Sequence, residues 1–106
     1  MSLYAGDVDV LVPFVFTTSA IAGTQVASVV VRAETGESTL SWTMTPTATT
    51  ATSVSCQRTL VAGDLPRAAP GGYPMRAWFY ASGGALLGTS EEFAGPPVKP
   101  ARVSAP

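Results

Sequence analysis

Apolar and polar residues alternate with a period of two along most of this chain, and no stretch carries the three- to four-residue spacing of an amphipathic helix. DVDVLVPFVF, residues 7–16, puts Val8, Val10, Val12, Phe14 and Phe16 on one face of a strand. Pro13 falls on the opposite face and has no N–H for a ladder, which predicts an edge strand or a bulge. After a connection over 17–24, QVASVVVRA (25–33) is apolar on both faces at Val29, Val30 and Val31, as a central strand should be. ETGES (34–38) turns at Gly36 into a third strand, 39–45, with Leu40, Trp42 and Met44 inward and Thr39, Ser41, Thr43 and Thr45 outward.

The Thr- and Ala-rich PTATTAT (46–52) reads equally as loop or exposed strand. SVSCQRTLV (53–61) reads as a strand with Val54 and Cys56 on one face, and AGDLPRAAPGG (62–72) as a turn-rich crossing with Leu65 as its apolar plug. Beyond it a hairpin turns at Gly83 and Gly84, with ALLGTSEEF (85–93) as the return strand. Its first strand is heavy on both faces: Tyr73, Met75, Ala77 and Phe79 point one way, and Arg76, Trp78 and Tyr80 the other. Only one set fits a core. With the Tyr73 set inside, Arg76, Trp78 and Tyr80 form an outward row of the residue types most enriched at interface hot spots, unless the 62–72 crossing or the chain's end folds over them. AGPPVKPARVSAP (94–106) is Pro-rich and is expected to run extended, without a partner inside the domain. About seven short strands with regular turn signals predict an all-β sandwich over a small barrel, residues 1–94, followed by the tail, 95–106.

Composition narrows the chemistry. At 106 residues the chain is sized for one domain with one modest core. Only 12% of residues are charged, so Thr, Ser, Ala and Gly must make most of the surface, which suits close association. Net charge is −1 and no strip of Lys or Arg interleaves with aromatics, so nucleic acid is set aside as a partner. No apolar run approaches a membrane span, and acidic residues stand where a secretory signal wants positive charge; the expectation is a soluble protein made in the cytoplasm which, if it works outside a cell, gets there by assembly or lysis.

The absence of histidine excludes every His-based catalytic or metal arrangement. Asp7, Asp9, Glu34, Glu37, Asp64, Glu91 and Glu92 are scattered over strand starts and turns, and each is expected to be a solvated charge. Asp7 and Asp9 share a strand face that a loop carbonyl could complete for Ca²⁺. No calcium-loop pattern surrounds them, and charge on an edge strand accounts for both. Cys56, the sole cysteine, has no nearby base and is expected to be a buried small hydrophobe. Gly71, Gly72, Gly83 and Gly84 precede no helix and cannot cradle phosphate. The residues therefore predict no enzyme, no cofactor and no metal.

LYAGDVDVLVPFVF, VASVVVRAETGESTLSW and LVAGDLPRAAPGGYPMRAWFYASGGALLGTSEEF together resemble the small immunoglobulin-like domains of tailed-phage virions, such as the amino-terminal domain of baseplate upper proteins. The shared features are Gly6 and Asp7 before an amphipathic first strand, Leu65 in a turn, Gly72 and Tyr73 leading into a strand with one residue fewer than the Gly-x-Tyr of that pattern, and the Gly83–Gly84 hairpin. They span residues 3–93. AGTQVAS stands where that pattern has Asp-Leu-Thr-Gly, and the paired cysteines of antibody-type domains are missing.

The resemblance implies an immunoglobulin-like sandwich serving as a non-enzymatic structural protein of the virion: a capsid decoration, a neck or tail adaptor, or a baseplate or fibre attachment module. Its expected partners are neighbouring virion proteins of capsid, neck or tail and copies of itself. Arg76, Trp78 and Tyr80 are the expected contacts, together with Pro96, Pro97 and Val98 of the tail, which would lie along a neighbour as an added strand or arm. The alternative is a carbohydrate-binding module in which Trp78 and Tyr80 stack on sugar rings while Arg76 bonds hydroxyls.

Overall fold

The computed structural model describes residues 3–18, 21–36 and 39–100. Ten strands form among them: β1 (Leu3–Tyr4), β2 (Leu11–Thr17), β3 (Val26–Glu34), β4 (Thr39–Met44), β5 (Pro46–Thr50), β6 (Ser53–Thr59), β7 (Pro74–Ala81), β8 (Leu86–Thr89), β9 (Phe93–Ala94) and β10 (Val98–Lys99). A single 3₁₀ turn, Gly23–Gln25, precedes β3. The period-two patterns set the burial: β2 alternates strictly, Val12, Phe14 and Phe16 going inward, and so does β4 with Trp42 and Met44.

One sheet has the order β2-β6-β5 and the other β4-β3-β7-β8, with β9 also pairing β7 and a small parallel pair β1-β10 apart from both. Two face-packed sheets make this an all-β sandwich rather than a barrel. β3, apolar on both faces, is central between β4 and β7, and β2, which carries Pro13, lies at an edge. Thr45 alone links β4 of one sheet to β5 of the other, tying the sheets together along that side. The ambiguous Thr- and Ala-rich segment is strand, with Thr47, Ala48, Thr49 and Thr50 exposed. Phe14 and Phe16 stack with centroids 5.9 Å apart, and Phe16 meets Phe79 edge-on at 5.5 Å, so the middle of the core is an aromatic cluster.

The crossing before β7 is anchored at both ends. Leu65 is buried, and its carbonyl accepts the Gly6 N–H at 2.8 Å. Tyr73, 2% exposed, folds its hydroxyl back onto the crossing, where it donates to the Arg67 carbonyl and accepts the Arg67 N–H at 3.2 Å. Asp64, expected to be solvated, is instead buried: it takes the Arg58 guanidinium in two contacts, at 3.0 and 3.2 Å, and the Val61 N–H at 3.0 Å. It closes a turn and forms with Arg58 the one ion pair among the described residues.

Two further expectations need correction. The first long strand begins at Leu11, not at residue 7, because Asp9 sits in the left-handed region at φ 61°, which breaks the extended run. Val8 is consequently exposed, and Asp7 and Asp9 do not share a strand face. The tail does have a partner inside the domain. Val98 and Lys99 pair in parallel with Leu3 and Tyr4, Val98 and Ala69 exchange backbone bonds of 2.8 Å, and Val98 is 1% exposed. The sandwich therefore extends past residue 94. Gly72 makes this docking possible: at φ +79°, a Cβ there would stand 1.9 Å from the Gly95 carbonyl oxygen. Residues 101–106, the rest of the expected tail, lie outside the described residues, as does Glu37.

Candidate functional site

The β7 side chains divide as their spacing predicts. Tyr73, Met75, Ala77 and Phe79 are all buried, while Arg76 is exposed and Trp78 and Tyr80 are half-buried on the outward face of the larger sheet. Register brings a wider set together there: Arg32 stands opposite Arg76, Val30 opposite Trp78 and Ser28 opposite Tyr80, with Ser41 and Thr43 of β4 flanking Arg32 and Val30. The Arg32 guanidinium lies over the Trp78 ring, 5.4 Å from its centroid, the diagonal reach expected two positions along a neighbouring strand. The covering of Trp78 thus comes from Arg32, while the tail backbone is committed to Leu3 and Ala69.

Like charges directly opposite one another weaken a strand pair, so the Arg32–Arg76 pairing is a cost to the isolated sheet. Neither guanidinium is in an ion pair among the described residues, where Arg58–Asp64 is the salt bridge present. Glu34 accepts the Thr39 hydroxyl at 2.9 and 3.0 Å. A shallow depression of about 200 Å³ is lined by Arg32, Glu34, Arg76, Trp78 and Glu92. Such a face can stack on planar or apolar groups and offer guanidinium donors to carboxylates and carbonyls.

Other candidates resolve differently. Of the expected tail contacts, Pro97 is exposed, Pro96 is half-buried and Val98 is core, so Val98 is not offered to a neighbour. Cys56 faces inward, 2% exposed, and burial pushes its thiol from 9.0 up to about 11, far from the thiolate a nucleophile needs. Among the described residues no three His, Cys, Asp or Glu side chains converge as a metal site, and no helix is long and apolar enough to cross a membrane. Arg32 was the residue that sequence reasoning missed; its signal was the alternation Ser28, Val30, Arg32, Glu34 on the second face of a strand read as apolar throughout.

The second feature missed is a groove of about 1170 Å³ on the side away from the Thr45 link, between β2 and the β8–β9 return. Phe14, Phe16, Phe79 and Phe93 contribute to its lining. No family model, curated protein or solved structure matches this chain.

Proposed function

We propose that this chain is a non-enzymatic structural module of a phage particle that holds neighbouring virion proteins through the outward face of its larger sheet. The observation that carries the contact reading is the in-register pair Arg32 and Arg76 around Trp78, two cations without an ion-pair partner among the described residues. In a lone domain like charges set directly opposite one another weaken the strand pair. A partner carboxylate placed between them turns the same arrangement into attraction, which gives the face a purpose in an assembly. The virion setting rests on the resemblance across residues 3–93.

The immunoglobulin-like half of that resemblance draws support from two features. The orders β2-β6-β5 and β4-β3-β7-β8 correspond to strands B-E-D and C′-C-F-G of an immunoglobulin-like sandwich. The Tyr73 hydroxyl bonded back to Arg67, at the start of the F-equivalent strand, has the form of a tyrosine corner. The carbohydrate reading is less well served, because a stacking sugar needs a bare ring face and the Arg32 guanidinium occupies one face of Trp78.

The test is incorporation into particles. Trp78→Ala and Arg76→Glu should each lower the number of copies per purified particle, while the melting temperature of the isolated domain moves by only a few degrees. Unchanged incorporation, or a loss of stability as large as that of a core truncation, about 3–5 kcal/mol for an aromatic to alanine, would sink the proposal.

A further inference from the structure

The β2 edge is chemically unfinished. Residues 10 and 18 bond toward the β6 side, Leu60 N–H to the Val10 carbonyl at 2.9 Å and Thr18 N–H to the Thr52 carbonyl at 2.8 Å. In an antiparallel ladder the even-numbered residues then face β6, and the backbone groups of Leu11, Pro13, Val15 and Thr17 face away from it. Among the described residues nothing pairs with them, since β2 ends its sheet. Beside this edge lies the groove of about 1170 Å³, lined by Phe14, Phe16, Phe79 and Phe93. Thr18, which also lines it, is 4% exposed, and its hydroxyl, sealed within the fold, has no hydrogen-bond partner among the described residues.

We propose that this open side receives an extended strand donated by a partner protein, which adds to the β2 edge and lays alternate apolar side chains over the phenylalanine floor. Free amides and carbonyls along one wall and an apolar floor beside it are what strand addition requires, and a small ligand has no use for the row of backbone groups. The seven residues of β2 give an edge of about 23 Å, enough for a strand of similar length. The charge of the donor follows from the rim, where Glu91 and Glu92 stand and, among the described residues, no Lys or Arg does. The donor therefore carries Lys or Arg beside its apolar positions. A second copy pairing through its own β2 is a poorer occupant, because its Val12, Phe14 and Phe16 are already used in its own core. This inference concerns a different surface from the Trp78 face and does not rest on the virion reading.

The experiment titrates the isotope-labelled full chain with the peptide KVTVTVTVK, acetylated and amidated, and follows amide exchange by NMR. Val15 and Thr17 amides should become protected and the Thr18 resonances should shift, with the acid-ended EVTVTVTVE binding at least tenfold more weakly. Val15→Pro removes an edge N–H at an exposed position and should abolish binding with the melting temperature nearly unchanged. Thr18→Val removes only the sealed hydroxyl and is the control: it should leave binding unchanged. No protection of Val15 and Thr17 at millimolar KVTVTVTVK overturns the proposal. Protection that appears without peptide and grows with protein concentration also overturns it, in favour of a second copy, and so does undiminished binding by Val15→Pro.

Discussion

Replacing Tyr73 by Phe keeps the buried ring and deletes one atom, so it measures the corner alone. That hydroxyl serves both backbone groups of Arg67, donating to the carbonyl and accepting the N–H at 3.2 Å. Each lost bond is worth about 0.5–1.5 kcal/mol net, and a group left dry costs more. With Tyr73 2% exposed, the loss should total about 2 kcal/mol. For 106 residues the unfolding entropy is about 0.22 kcal/mol/K, so the melting temperature should fall by about 9 °C. Urea unfolding followed by circular dichroism should show a lower midpoint with an unchanged slope, the sign of altered stability rather than an altered unfolded state. Hydrogen exchange supplies the local readout, since the Arg67 amide should lose protection. A stability change under about 0.5 kcal/mol with the Arg67 amide still protected would refute the assignment of this hydroxyl as the anchor of the crossing.

Two other perturbations follow from the packing. Burial raises the Cys56 thiol from 9.0 to about 11, so the folded protein keeps a proton that the unfolded chain releases. Stability from this site is full below pH 9 and declines as pH rises to about 11, by up to about 2–3 kcal/mol. Melting curves of wild type and Cys56→Ala should therefore converge over that range, and parallel curves would exclude the effect. Gly72→Ala puts a Cβ 1.9 Å from the Gly95 carbonyl oxygen and should cost about 2 kcal/mol or more while making the segment around Val98 accessible to protease. Gly71→Ala, with open space around its Cβ, is the control and should be near neutral; equal effects at the two positions would mean the tail is not held through Gly72.

The sandwich was legible because strands with one buried face write themselves in the sequence. Val12, Phe14 and Phe16, then Trp42 and Met44, then Met75, Ala77 and Phe79 are each spaced by two, and all are core. What escaped depends on contacts between distant segments. Nothing near Val98 in sequence says that Leu3 and Ala69 will bond to it, so Pro-rich composition suggested a free arm where the chain packs. Asp64 looked like any turn carboxylate until the fold brought Arg58 to it. Asp9 ended a run that alternates correctly, because periodicity records side-chain polarity and is blind to a positive φ. The outward row of Arg76, Trp78 and Tyr80 was visible, but its sign was not. Only the β3–β7 register sets a second arginine opposite the first.

An open edge beside an apolar groove is ordinarily an aggregation hazard, and this one is restrained in a way that also shapes what can bind. Leu11 and Val15 stand exposed at 47% and 72% on a strand without a charged side chain, so charge does not guard it. Pro13 does. It occupies an odd position, where its missing N–H costs the β2–β6 ladder nothing but leaves a gap in the middle of the free edge. An indiscriminate strand laid along β2 meets that gap with one of its own carbonyls, which goes unsatisfied unless water reaches it. The Val15–Thr17 half offers N–H and carbonyl groups in full, so it is the half that rewards pairing. Two copies aligned through Pro13 would forfeit bonds on both strands, whereas a foreign strand forfeits one. The same residue that discourages self-association at this edge thus favours a donor whose strongest bonds are made beyond Pro13.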